Sequence, residues 1–543
     1  MSERKLFVRK ATGLVREIGF WTAVIIVFCN VIGLGWQKRV FQFTGPAIVP
    51  ESSWVLGMPP VVMSFLIVGI IVLLTVFMFA VLGAAMPRSG GGYVYISRII
   101  HPSVGFLASW AEYFSIAVSW GLIGTAVFEA ILIYAWIAGW GTAWATPETL
   151  LIGGMVIVIL FTGVAYFGAS MTGKLLRAMF VIPAAITFVL YAVMLSATPQ
   201  SMEAGVMALT GHSATEFTQM ALNQGMATAY SGGYWDAMAV ATIGTYWAYI
   251  GFAASTFVGG EVKQAGKALP KTLFIANIII VLLYVSISWV AANAARLVGH
   301  VGDYSFFSAY AFLSYGGGTL PEGVGRAWMP NIAGFAASGM GLSWVLVLIP
   351  IFAVLWVAND IPPFIITSSR IVFAMSFDRV LPERLSQVNE RWHSPTAAIV
   401  ATMFVAFIGN FAESDILVKY LPGNVITSYI NSGGGVVATD IWDVIFFLLA
   451  SLAGMLFVFR RKDIYDKSPY KPGKWVIAGI GLIATLANIY LLYLVATGWL
   501  VPEPWIFTVV LLVVGAIIYY YYRTKGSRVG VDYSTIYAEI PPE

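Results

Sequence analysis

Asn30-Val31-Ile32-Gly33-Leu34-Gly35 stands inside an apolar stretch running from residue 17 to residue 43, a length that crosses a bilayer. Two glycines so close together each weaken a helix by about 1 kcal/mol. In hydrocarbon an unwound backbone is tolerated only where it is buried in protein or lines a cavity. The six residues therefore read in two ways. Small side chains here let a neighbouring helix approach closely, or the helix breaks and its free N–H groups hold an anionic group such as a carboxylate.

The rest of the chain is composed for the same environment. Its 543 residues are 59% hydrophobic and 10% charged, against roughly a quarter charged on a soluble protein. Apolar length and Gly/Pro punctuation predict about twelve spans, an all-α polytopic membrane protein: 17–43, 61–86, 103–137, 149–168, 173–197, 236–260, 270–294, 338–376, 394–412, 441–460, 475–498 and 503–522. Two long loops, 198–235 and 295–337, then share one side. With the N-terminus cytoplasmic, almost every Lys and Arg falls inside. Only Arg296, Arg326 and Lys419 lie outside, and Lys38 and Arg39 fall within the first span. The expected placement is multi-pass in the cell membrane, with a basic cytoplasmic tail at 1–16, a cytoplasmic loop at 461–474 and a cytoplasmic tail at 523–543. The segment after Arg528 is short and polar and reads as mobile. Met1 to Arg16 is too polar for a cleavable leader. The net charge of +4 is spread over many loops, which argues against a nucleic-acid surface, and the single Cys29 allows no internal disulfide.

A second weak stretch, Ile250-Gly251-Phe252-Ala253-Ala254-Ser255-Thr256, lies in the sixth span beside Tyr246, Trp247 and Tyr249. It is either an aromatic packing stripe or a second unwinding whose carbonyls bind a cation, with Trp247 closing over it by cation–π contact. Interrupted spans one and six would be corresponding members of two five-helix halves, the pattern that points to a site at the bilayer midplane.

Four further stretches carry a resemblance. Ala84-Ala85-Met86-Pro87-Arg88-Ser89-Gly90-Gly91-Gly92-Tyr93 is similar to the second-span signature of the amino acid–polyamine–organocation (APC) transporters. Gly259-Gly260-Glu261-Val262-Lys263 through Leu269-Pro270 resembles the loop after their sixth span. Ser368-Ser369-Arg370 with Phe377-Asp378-Arg379-Val380-Leu381-Pro382 resembles their eighth-span exit. Arg460-Arg461-Lys462 with Ser468-Pro469-Tyr470-Lys471-Pro472-Gly473 resembles the loop before span eleven. The resemblance implies a five-plus-five inverted-repeat core of the LeuT type. Residues 17–197 would form its first half, and 236–412 its second, completed by 441–460; 475–522 would hold two additional helices. It implies alternating access and amino-acid or amine substrates. The substrate carboxylate falls on Ile32, Gly33, Leu34 and Gly35, and the amine on carbonyls near Tyr249, Ile250 and Phe252. Trp247 takes the place of an aromatic gate, and Ala253 and Phe364 complete the implied binding set.

The chain departs from that pattern in its charges. Ala253 stands where many members carry a glutamate, and Pro183 stands near the place of a lysine found in some proton-coupled members. Other ionisable groups lie within spans: Asp360 in Ala358-Asn359-Asp360-Ile361-Pro362-Pro363, and Glu112 and Glu129 in span three. An intramembrane charge costs at least about 2.5–3.5 kcal/mol unless it meets water or a partner. Asp360 is thus a candidate for the coupling cation or the substrate amine, and the proline pair after it suggests a local break. Glu112 either replaces the missing acid or is an interfacial carboxylate, and Glu129 reads as an outer-vestibule residue. Lys38 and Arg39 either face the vestibule, favouring an anionic substrate or pairing with Glu129 or Asp360, or snorkel outward. A proton or a sodium ion is the expected coupling partner. Thr367, Ser368 and Ser369 could supply oxygens for sodium or simply cap helix backbone. His101, His212, His300 and His393 are scattered, so neither a metal centre nor a cofactor is expected. No nucleotide loop or enzyme motif appears. A transporter-like sensor that binds without net transport is the alternative.

Overall fold

The computed structural model describes residues 12–137, 141, 143–498 and 500–542. Arg4, Lys5, Arg9 and Lys10 of the expected basic tail lie outside the described residues. Among the described residues, eleven helical segments are long and apolar enough to cross a membrane. The first of them, Phe20–Ala47, is α1 (Phe20–Val31), a π-helical turn at Gly35–Arg39 and α2 (Val40–Thr44). It is followed by α3 (Pro60–Ala85), the short α4 (Gly92–Ile99), α5 (Pro102–Ile137), α6 (Pro147–Tyr166) and α7 (Gly168–Leu195). The sixth expected span is split into α8 (Tyr234–Trp247) and the single turn α9 (Ala254–Phe257), each too short to cross alone. Then come α10 (Ala265–Ala295), α11 (Ser343–Phe377), α12 (Thr396–Glu413), α13 (Ser432–Arg460), α14 (Lys474–Gly498) and α15 (Glu503–Arg528).

Burial sorts these helices into layers. α1, α8 and the second half of α11 are almost wholly enclosed, and their neighbours include α3, α5 and α10. α6, α7, α14 and α15 turn residues such as Ile159, Phe188, Leu486 and Ile517 outward, the apolar exterior a helix needs against lipid rather than water. α11 runs unbroken through Pro350, Pro362 and Pro363. This corrects the local break expected after Asp360. Each proline removes one N–H bond to the carbonyl four residues back, and around Pro362 and Pro363 burial on all sides holds the helix in line.

The two long loops are also more ordered than the sequence suggests. They contain helices Pro199–Thr210, Ala214–Asn223, Phe306–Tyr315 and Met329–Gly339. Thr198 with Ser201 and Ser213 with Glu216 form capping boxes that start the first two.

The C-terminal segment is docked rather than mobile. Asp532 caps the helix α16 (Tyr533–Ala538), accepting from the backbone N–H of Ser534 at 3.0 Å. The hydroxyls of Ser534 and Thr535 hold its carboxyl down at about 2. Ile536 and Tyr537 are buried. The Tyr537 hydroxyl meets that of Tyr93 at 3.2 Å, and Tyr93 donates to Asp378 at 2.7 Å. Arg98 clamps the same Asp378 with two N–H bonds of 2.5 and 2.8 Å and lies 4.9 Å over the Tyr537 ring. Arg88 donates to the Pro541 carbonyl at 2.6 Å. The strap thus ties α4 to the end of α11. Tyr537→Ala should destabilise the protein by about 3 kcal/mol, the scale of losing a buried aromatic ring, read as a lower melting temperature of the purified chain. An unchanged melting temperature would mean that the strap is only loosely seated.

Candidate functional site

Both weak stretches are breaks, and they touch. α1 ends at Val31. Ile32 is extended (φ −84°, ψ 96°), its N–H still bonded to the Phe28 carbonyl, and helix resumes after Gly33. In the sixth span, Ala248–Ala253 form turns in which Gly251 has φ +98°. Two glycines set the approach. A Cβ on Gly35 would fall 2.2 Å from the Ala248 Cα, and one on Gly251 would fall 2.4 Å from the Asn30 carbonyl oxygen. No side chain fits at either place, so the breaks cross backbone to backbone.

The exposed carbonyls of the breaks are met largely from α10. Tyr284 directs its hydroxyl at the carbonyls of Val31 (2.5 Å) and Ala248 (3.1 Å), one from each break. Asn277 donates to the Phe252 carbonyl at 3.0 Å. Gln37 donates to the Gly33 carbonyl at 3.1 Å. The Phe252 carbonyl, expected to face the substrate amine, is therefore already bonded in this conformation. Tyr284 and Asn277 escaped the sequence reading because a tyrosine and an asparagine in an apolar helix give no periodic or motif signal.

Asp360 sits at the first break. A Cβ on Gly33 would fall 1.7 Å from Asp360 Oδ2 and 2.4 Å from Oδ1. Among the described residues its Oδ1 finds no partner, nor do Asn30 Nδ2 and Oδ1, Asn359 Nδ2 and Oδ1, the Trp247 indole N–H, Ser255 Oγ or Thr367 Oγ1, all buried. Buried polar groups are normally paired, so this group on the break-bearing segments and α11 is where a polar ligand would find partners. Ile32, Leu34, Tyr249, Ile250, Phe252 and Ala253 are buried around it, and Phe364 is buried one turn beyond Asp360 on α11. Ser368 and Ser369 donate to the carbonyls of Phe364 and Ile366 at 2.6 and 3.0 Å, so they cap helix backbone.

Glu112 joins a second group of acids. It is 1% exposed and lies beside Asp443 on α13. Tyr246, next to Trp247, also donates to Asp443, and the buried Asp440 lies nearby, neither of its carboxylate oxygens bonded among the described residues.

Lys38 and Arg39 neither snorkel nor stand free. Lys38 Nζ lies 2.5 Å from Glu129 Oε2 and 2.7 Å from Glu413 Oε1. Arg39 Nη2 lies 2.6 Å from Glu413 Oε2, with its guanidinium 5.2 Å from the centre of the Trp247 ring. The expected pairing with Glu129 is present, and that with Asp360 is replaced by Glu413. Two cations facing two carboxylates leave no net charge to favour an anionic substrate. Lys38, Glu129 and Glu413 also line a cavity of about 520 Å³, walled further by Trp136, Tyr315 and Asn331. Glu413 and Asp440 lie one residue outside expected spans, and Asp443 lies inside the one at 441–460. The rule that flagged Asp360 applies to Asp443 as it stands, and to the other two once the helices are drawn slightly longer.

Comparison with known proteins gives one consistent picture. The profile of the family described as amino acid permease matches residues 18–516. The chain is 22% identical to a glutamate/serine transporter of Bacillus subtilis over 95% of this chain and 83% of that protein. It is 23% identical to a branched-chain amino acid permease of the same organism over 95% and 94%. A serine/threonine exchanger, also of Bacillus subtilis, is 22% identical over 73% of this chain and 76% of its own length.

Proposed function

We propose, from the premise that this chain belongs to the amino acid permease family, that it is a secondary transporter of amino acids or related amines that works by alternating access. The observation that carries the reading is the crossing of two broken helices within a shell of buried, unpartnered polar groups. Residues 17–197 form one inverted half, and 236–412 with 441–460 the other, both termini being cytoplasmic. The substrate carboxylate takes the N–H side of Gly33, Leu34 and Gly35, with Ile32, whose own N–H is bonded to Phe28, at its edge. The amine lies toward Tyr249, Ile250 and Ala253, with Phe364 on the opposite wall. Trp247, backed by Arg39, closes the site from outside, and the pairs of Lys38 and Arg39 with Glu129 and Glu413 form the outer barrier. Asp360 and the Glu112–Asp443 pair are the acids positioned to couple transport to a cation. A balanced outer barrier favours neutral amino acids such as serine or leucine, and the relatives' names give serine, threonine and branched-chain amino acids beside glutamate.

Counterflow tests this reading. Proteoliposomes loaded with unlabelled serine, threonine, leucine or glutamate should accumulate the same labelled amino acid transiently above equilibrium. Binding without counterflow for every amino acid would instead mark a sensor.

A further inference from the structure

Both signs of charge line the cavity of about 520 Å³ beside the proposed outer barrier: Lys38 and Arg326, with Glu129, Glu413 and Asp415. Lys38 is shared by Glu129 and Glu413, and Arg39 behind it takes Glu413. Among the described residues Arg326 and Asp415 belong to no ion pair. One cation and one carboxylate of the lining are thus left over. Arg326 is presented by a fixed backbone. The Gly325 carbonyl accepts from Tyr310 at 2.8 Å, the Arg326 carbonyl accepts from Asn331 at 3.0 Å, and the Ala327 N–H donates to Ser314 at 2.9 Å. The guanidinium lies 5.9 Å from the centre of the Tyr315 ring. Asp415 follows the end of α12 and stands in the left-handed region at φ +56°, which aspartate and asparagine tolerate better than most residues. The Arg326 charge is felt at Asp415, so the two address one space without touching. Resting on the reading that amino acids are the cargo, we propose that this cavity is a second amino-acid site, in which the zwitterion lays its carboxylate on Arg326, its ammonium on Asp415 and its side chain against Trp136.

The balance of charge selects the ligand. Lys38, Arg39 and Arg326 offset Glu129, Glu413 and Asp415, so the cavity has no net charge to draw a simple ion. A lone anion gains Arg326 but meets the carboxylates, and a lone cation gains Asp415 but meets Lys38 and Arg326. A molecule that carries both signs close together satisfies the two leftover residues and leaves the balance as it was. Arg326 suits the carboxylate end, because a guanidinium gives a carboxylate two parallel N–H bonds. The volume falls in the range of small-molecule sites. Leu132, Ile133 and Trp136 form an apolar part of the wall, and a side chain laid on them is removed from water. Leucine should therefore sit better here than serine. An amino acid so held lies against Lys38 and Glu129, the barrier it has next to pass, and is sorted by side chain before it reaches the crossing.

The test is equilibrium binding of labelled L-leucine and L-serine to the purified full chain, with Arg326→Gln and Asp415→Asn as variants. Both residues are exposed, and asparagine keeps the left-handed backbone at 415. Wild type should bind two leucines per chain. Each variant should weaken the outer one about tenfold, the scale of one lost bond to a charged partner, and leave the inner one unchanged. 4-Methylpentanoate and 3-methylbutylamine share leucine's side chain and carry one charge each, and neither should displace the outer leucine at equal concentration. Two sites that ignore both variants overturn the inference, as does a response to only one variant or displacement by either singly charged probe. A single site that ignores both variants also overturns it and leaves the substrate reading intact. A single site weakened by both variants upholds it and removes the crossing as a binding place. If neither amino acid binds wild type, the substrate reading fails and the inference with it.

Discussion

Glu413→Ala is expected to cost the folded protein about 3–5 kcal/mol, the penalty for stranding buried charges without their partner. Glu413 is the shared counter-ion of Lys38 and Arg39, and its side chain and that of Arg39 are fully enclosed. Removing it leaves Arg39 with Gln42 at 2.6 Å and the face of Trp247, and no carboxylate. Lys38 keeps Glu129. The cost should therefore come mainly from Arg39, and Arg39→Met in the Glu413→Ala background should recover most of it. Thermal unfolding in detergent reads both. A loss below about 1 kcal/mol would place these charges in contact with water and would remove them as a barrier. On the proposed reading the same variant should leave the outer side poorly closed. Exchange should fall more than binding, since the pairs line the 520 Å³ cavity and not the breaks.

Gly251→Ala is expected to reduce uptake at least a hundredfold. The position fails a side chain twice. Its φ of +98° lies in a region that costs an L-residue about 1–2 kcal/mol. The added Cβ would also meet Asn30, 1.7 Å from Nδ2 and 2.4 Å from its backbone oxygen. The amide can swing away, but the carbonyl cannot move without moving α1. The two breaks would separate and the site between them would lose its shape. Gly163→Ala is the control, because nothing lies within 4 Å of its Cβ. It should transport like wild type, and equal activity of the two variants would sink the crossing as the functional centre.

The sequence made the spans and the two breaks visible because both depend on local chemistry. Apolar length announces a membrane helix, and Gly33, Gly35 and Gly251 announce backbone that must approach closely or turn the wrong way. It was blind where function depends on pairs distant along the chain. Lys38 and Arg39 stood out, yet whether they reached substrate or carboxylate rested on Glu413, some 375 residues away. Asp360 stood out as a charge in the membrane, but its seat on Gly33 is a tertiary fact. Tyr537 gave no hint, since an aromatic in a polar tail has no period to betray a buried face. Pro362 and Pro363 misled because local propensity signals a break that tertiary packing prevents.

Tyr284 offers one hydrogen to two oxygens, Val31 on one broken helix and Ala248 on the other. Only one of them can hold it fully at any instant. Any sliding of the first break against the sixth shifts that hydrogen toward one carbonyl and starves the other. The phenol is therefore a vernier for the crossing: its O–H stretch should change frequency with any movement of one break against the other, and a phenylalanine there would erase the scale while leaving the ring in place.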